Sequence, residues 1–247
     1  MTDSPRVVVG YLDPGEWSAV FGLSYRDLLL YDISREDPRI LRPSGAELRT
    51  LTGSGGIPAG RNKVAHQFLH ETDGDWLFWV DSDMGFAPDT VDRLLEVADS
   101  QTKVIGALCF QQKRCGSGDF QAVRYSIHPT LLRWAEVEET GEKGFLPWDD
   151  YKRDSIQEVA GTGSACILVH RNVFEDIEEK YGPGSWYEPI NMPEAGGNGT
   201  SRVFSEDLSF CIRAAACGHK VYVDTSVKTT HHKGGIYLDE ETFDAGR

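Results

Sequence analysis

The sequence predicts an α/β fold: a mostly parallel central sheet with helices on both faces, in a single domain. Three observations carry this. Apolar runs at residues 6–11, 76–80 and 103–109 have the length and bulk of buried strands. Between them apolar residues recur at helical spacing, first Val64, Ala65, Phe68 and Leu69, then Val91, Leu94, Leu95 and Ala98. The resulting strand–helix–strand–helix–strand order, joined by right-handed crossovers, brings the loops after the strands to one edge of the sheet.

Each element has its own warrant. The first strand, residues 6–11, is RVVVGY, and looser helical spacing follows over 18–31. Residues 38–56 are rich in turn formers and suggest no element. A helix over 59–71 ends at the turn Asp73-Gly74-Asp75, which leads into WLFWV. Pro88 suits the first turn of the next helix. Residues 110–159 are irregular, with room for a hairpin. A strand at 165–169 and a helix at 172–181 follow. Residues 182–199, rich in Gly and Pro and carrying Trp186 and Tyr187, read as a mobile loop able to close over a ligand. Ser205 is placed to cap a helix that stops at Gly218, and 220–224 is a last strand.

Composition excludes several function classes. The chain has 247 residues, 40% hydrophobic and 26% charged, as expected of a globular domain. No apolar run nears the roughly 20 residues of a membrane span. Residues 1–6 are polar, without a signal core, so the expected location is the cytoplasm. A net charge of -14 with no basic patch argues against nucleic acid and anionic membrane as partners. The five cysteines show no CxxC spacing and read as reduced thiols.

Five short motifs could carry chemistry. Asp81-Ser82-Asp83 follows a buried strand. On extended chain its two carboxylates share a side, and hard oxygen ligands suit Mg²⁺ or Mn²⁺. Gly60-Arg61-Asn62 lies near a helix start, where free N–H groups and an Arg can meet a phosphate. Glu206 and Asp207 open a helix, as dipole partners or as a general base. His231 and His232 follow the last strand, and a neutral imidazole is a common metal ligand. If extended, the chain turns His231 to the side of Val227 and Thr229. Gly161-Thr162-Gly163-Ser164 precedes a strand and reads either as a close backbone approach to substrate or as a plain turn.

In this order the motifs resemble those of GT-A fold glycosyltransferases, notably the family 2-like bacterial and phage group. The matching stretches are residues 59–62, 79–84, 160–163, 205–208 and 223–231. The resemblance implies a Rossmann-like GT-A domain with a nucleotide-binding half at about 1–110, an acceptor-binding half at about 111–233 and a tail at 234–247. It implies a hexosyltransferase that moves a sugar from a nucleotide-diphosphate sugar, UDP-sugar before GDP-sugar, to an acceptor hydroxyl with inversion. The cofactor would be Mn²⁺ or Mg²⁺, held by Asp83 and His231, with Asp81 on the metal or the donor ribose. Gly10 and Tyr11 would meet the base, and Arg61 and Asn62 would lie along the nucleotide. Asp207, with Glu206, would deprotonate the acceptor, which would contact Gly161, Thr162, Gly163 and Trp186. Two alternatives keep the same outline: a sugar nucleotidyltransferase, and a non-catalytic binding module. The absence of a basic Gly-rich loop after residue 11 weighs against the first.

Overall fold

The computed structural model describes residues 4–40, 47–51, 55–115, 124–138, 141–196 and 201–247. In chain order the elements are β1 (Val7–Asp13), α1 (Ala19–Ile33), β2 (Glu47–Leu51), α2 (Gly56–Glu71), β3 (Trp76–Val80), β4 (Met84–Phe86), α3 (Thr90–Val97), β5 (Val104–Leu108), β6 (Phe110–Cys115) and β7 (Arg124–Pro129). Then follow β8 (Leu132–Val137), β9 (Glu142–Pro147), β10 (Ile156–Val159), β11 (Cys166–His170), α4 (Arg171–Tyr181), β12 (Asn191–Met192), β13 (Arg202–Val203), α5 (Glu206–Ala216), β14 (Val221–Lys233), β15 (Ile236–Leu238) and α6 (Glu240–Ala245).

Among these residues the central sheet has nine strands, with a main path β10-β14-β5-β11-β3-β1-β2. The pairings β1 with β2 and β3, and β5 with β14, are parallel, while β11 runs antiparallel between β3 and β5. β2, β1, β3, β5 and the first half of β14 therefore point the same way, and their carboxyl ends share one edge. β14 then shifts register between Asp224 and Lys228 and continues past that edge, where it pairs with β4 and β15.

Period-two alternation splits the apolar residues between two cores. Val8, Leu77, Trp79 and Val104 face α2, α4 and α5, while Val7, Val9, Phe78, Val80 and Ile105 face α1 and α3. Both faces of β3 are thus buried, which explains its unbroken apolar run. α1 begins at Ser18, whose hydroxyl accepts from Phe21 N at 3.1 Å. No helix among the described residues is long and apolar enough to cross a membrane.

The structure differs from the sequence reading in several places, among them residues 110–159, which hold the two hairpins β6–β7 and β8–β9 and the strand β10 where one hairpin was expected. Residues 47–51 form an edge strand inside the stretch that suggested no element. The last strand runs for 13 residues rather than five. Pro88 precedes α3, whose cap residue is Asp89, and so is not in its first turn. Another concerns the loop at 182–196. Trp186 and Tyr187 are fully buried: the Trp186 indole N–H donates to Phe174 O at 2.9 Å, and Tyr187 stacks on Phe210 with centroids 4.8 Å apart. These two rings anchor the segment to the core, and Trp186, expected at the acceptor, is buried there and borders neither cavity described below. Residues 197–200, including the Gly199 end of that predicted loop, lie outside the described residues. Cys109, Cys166, Cys211 and Cys217 are free thiols.

Candidate active site

The carboxyl end of β3 opens into a tight turn. Met84 N donates to Asp81 O at 3.0 Å, so Asp81 to Met84 is a turn and the extended-chain argument for the two carboxylates does not apply. The turn is fixed from three sides: Asp81 N donates to Ala165 O, Ser18 N to Ser82 O, and His232 N to Asp83 O, each at 2.9–3.0 Å. Asp81 and Asp83 still sit within electrostatic reach of each other.

Asp81 faces Arg61. The guanidinium is only 3% exposed, with Nη2 3.1 Å from Asp81 Oδ1 and Nε 3.3 Å from Asp207 Oδ1 and 3.8 Å from Glu206 Oε1. It lies 5.0 Å from the Trp79 ring centroid and 5.8 Å from that of Tyr187. Burial pushes its pKa down, but Asp207 and Asp81 outweigh burial and raise it, so the cation is locked in. Burial raises Asp81 above the usual carboxylate range, with Arg61 pulling the other way; burial and Asp207 likewise raise Glu206. Arg61, expected along the nucleotide, is enclosed instead by carboxylates and two aromatic rings. α2 starts at Gly56, which puts Arg61 in its second turn and on the same stripe as Val64, Ala65 and Phe68.

Asp83 faces the other way. Its Oδ2 lies 2.7 Å from Lys233 Nζ and 3.3 Å from His231 Nε2. Burial acts to raise its pKa, but the bonds to His231 and Lys233 prevail and lower it to about 2. His231 Nδ1 is 2.9 Å from the Phe110 carbonyl, which can only accept, so Nδ1 carries a proton. In a neutral imidazole the Nε2 lone pair would then point at a carboxylate oxygen. A proton or a bound cation removes that repulsion, and Asp83 raises the His231 pKa against the downward pull of burial. Asp83 Oδ1 is buried without a hydrogen-bond partner. An imidazole fixed by a backbone carbonyl and an unpartnered carboxylate oxygen beside it fit a divalent ion. No three His, Cys, Asp or Glu side chains among the described residues form a ready-made cluster, so the ligand's own oxygens and water would have to complete the shell.

A cavity of about 200 Å³ joins these groups. Asp81, Asp207 and His231 line it, together with Gly163, Thr130 and Gln111. Asp207 borders this space, whereas Glu206 is not among its lining residues. A second cavity of about 480 Å³ adjoins it through Gln111 and His231 and is also bordered by Lys233 and Tyr125.

The remaining expected site residues have packing roles. Gly10 and Tyr11 belong to the core: a Cβ at Gly10 would meet Leu77 at 2.9 Å and Val64 at 3.0 Å, and Tyr11 packs among Trp17, Phe21 and Tyr25. Both are buried in β1, where the resemblance had placed them at the base. Asn62 Oδ1 accepts from Tyr187 N at 2.8 Å and so anchors the 182–196 segment. A Cβ at Gly161 would meet Phe145 at 2.7 Å, and Thr162 is buried, which leaves only Gly163 of that trio on the cavity. Ser205 occupies the cap position of α5 without a side-chain capping hydrogen bond. The sequence reading missed several residues that border these cavities: Lys233 shares parity with His231 and was legible on that ground, whereas Gln111, Thr130 and Tyr125 carried no sequence signal.

No protein-family model matches the chain, and no curated protein sequence matches it. Solved structures do. The A197 protein from STIV matches with a TM-score of 0.56 at 14% identity, over 96% of this chain and 91% of that one. GalNAc-T7, crystallised with UDP, GalNAc and Mn²⁺, matches with a TM-score of 0.54 at 12% identity, over 93% of this chain and 44% of that one. The chain therefore spans less than half of the GalNAc-T7 chain. At these identities the likeness is one of fold: a GT-A-like glycosyltransferase fold, a mixed α/β single domain.

Proposed function

We propose that the protein is a metal-dependent glycosyltransferase that moves a sugar from a nucleotide-diphosphate donor, UDP-sugar before GDP-sugar, to an acceptor hydroxyl with inversion. One observation carries this reading: Asp83 with His231, and Asp207, come from three separate elements to one end of the sheet, and the aspartate of α5 and the histidine of β14 border the same cavity. The UDP and Mn²⁺ bound to GalNAc-T7 support the choice of donor and ion. The Asp83 carboxylate and His231 Nε2 would hold the ion, whose charge would neutralise the diphosphate as it leaves. Asp207 would take the proton of the acceptor hydroxyl as that oxygen attacks the anomeric carbon from the opposite side. Arg61 holds Asp207 and Asp81 in place from below. Residues 1–110 would serve the nucleotide and 111–233 the acceptor.

The test is a thermal-shift and hydrolysis screen of UDP- and GDP-sugars with and without Mn²⁺. A bound donor should raise the melting temperature only when the ion is present. Asp83→Ala should abolish the Mn²⁺-dependent shift and leave the metal-free protein within about 1 kcal/mol of wild type, since its ion pair with Lys233 is partly exposed. Donor turnover that persists in excess EDTA would overturn the metal role.

His231→Ala should weaken Mn²⁺ binding at least about tenfold, the lower end for a lost metal-site group. His232→Ala should not, because that ring packs against Tyr237, 5.1 Å away, on the other side of β14. Equal losses in the two variants would remove His231 from the site.

A further inference from the structure

The Asp83 carboxylate already holds a cation, and that cation belongs to the chain. Lys233 Nζ lies 2.7 Å from Asp83 Oδ2, on the carboxylate whose other oxygen is the unpartnered buried atom. The arrangement is built into the backbone. Lys233 is two residues beyond His231 on β14, so both side chains leave the strand on one side. His232 N donates to Asp83 O at 2.9 Å and fixes the strand against the Asp81–Met84 turn. Gly234 and Gly235 follow at φ +56° and +87°, and turn the chain back into β15.

We propose that Lys233 is a tethered competitor of the divalent ion: its ammonium occupies Asp83 in the metal-free protein and must leave when the ion binds. This rests on the metal reading of Asp83 and His231, and deepens it. Two physical points support the exchange. An ammonium within hydrogen-bonding distance of Asp83 repels a divalent ion bound to the same carboxylate, and the two cations cannot share one short contact. The lysine also has somewhere to go. Its side chain is 53% exposed, and it borders the cavity of about 480 Å³ that opens beside His231. The ion pair is half in solvent, so it holds the lysine weakly and lets it swing away. In its metal-free state the protein thereby neutralises Asp83, which a surface of net charge -14 would otherwise leave as one more unbalanced carboxylate.

The experiment measures Mn²⁺ affinity in the full chain without donor or acceptor, from the spin-resonance signal of free Mn²⁺. Lys233→Gln should bind Mn²⁺ more tightly than wild type by up to about fivefold, the factor expected for loss of a competing pair worth up to about 1 kcal/mol. Lys233→Arg, which keeps the charge, should stay near wild type. Lys228→Gln is the control: it removes the same charge from the same strand, but Lys228 pairs with Glu240 and Asp154 and does not touch Asp83. Unchanged affinity in Lys233→Gln, or an equal gain in Lys228→Gln, would overturn the proposal while leaving the metal reading intact. Mn²⁺ bound by none of these proteins would overturn the metal reading and this proposal with it.

Discussion

Asp207→Asn is expected to slow sugar transfer by roughly 10²–10⁴-fold while Mn²⁺ and donor affinity stay near wild type. The amide keeps the size of the side chain and can still fill the cavity wall, but it cannot accept a proton from the attacking hydroxyl. Two features of the site favour Asp207 over Glu206 as the proposed base. Asp207 borders the cavity shared with His231, and Glu206 does not. Asp207 Oδ1 also lies 3.3 Å from Arg61 Nε, against 3.8 Å for Glu206 Oε1, so the buried guanidinium orients Asp207 more closely. Glu206→Gln should therefore alter turnover far less. The rival reading gives both acids only a favourable place at the start of α5, worth roughly 0.3–1 kcal/mol of stability each. Single-turnover transfer and urea denaturation on the same two variants separate the readings. An Asp207→Asn protein with near-normal turnover would remove the base and with it the argument for inversion.

Much of the fold could be read from periodicity because the strands are buried on both faces. WLFWV at 76–80 fits a two-sided core strand, and the structure bounds β3 at the same residues. Strand direction was not legible: CILVH at 166–170 looks the same whether it runs parallel or, as it does, antiparallel to its neighbours. The edge strand at 47–51 lacks an apolar run because only one side of it meets the core, and Leu51 is largely exposed.

Within the site, parity turned His231 to the side of Val227 and Thr229 and the resemblance paired it with Asp83; the two lie 3.3 Å apart because β14 stays extended beyond its register shift. Readings that assumed a motif faces the ligand went wrong where side chains turn inward. Tyr11 and Trp186 are aromatic residues in turn-rich surroundings, and both fill the core. Arg61 carried a signal that pointed the right way: it lies three and four residues before Val64 and Ala65, on the buried stripe of α2. A charged residue on an apolar stripe implies buried partners. The partners, Asp81 and Asp207, lie 20 and 146 residues away in sequence, so no local pattern could name them.

Arg61→Met should destabilise the protein by roughly 3–5 kcal/mol, the cost of removing one partner from a buried charge cluster. Methionine matches much of the volume and keeps contact with Trp79 and Tyr187, so the loss would come from charge and not from a void. Asp81, Glu206 and Asp207 would then face one another with no cation between them. If uncompensated carboxylates are the cause, adding Asp81→Asn and Asp207→Asn to Arg61→Met should recover most of the lost stability in urea denaturation. The triple variant thus has a smaller total loss than the single change, a non-additivity expected only of groups that share one cluster. The expectation from sequence, an arginine that pairs with the donor phosphates, leads to the opposite pattern: a normal unfolding midpoint, weakened donor binding and no rescue by the two asparagines. That pattern is hard to reconcile with a guanidinium 3% exposed beneath two aspartates. Observing it would mean that Arg61 leaves the core when donor binds, and that the cluster beneath the cavity opens as part of the catalytic cycle.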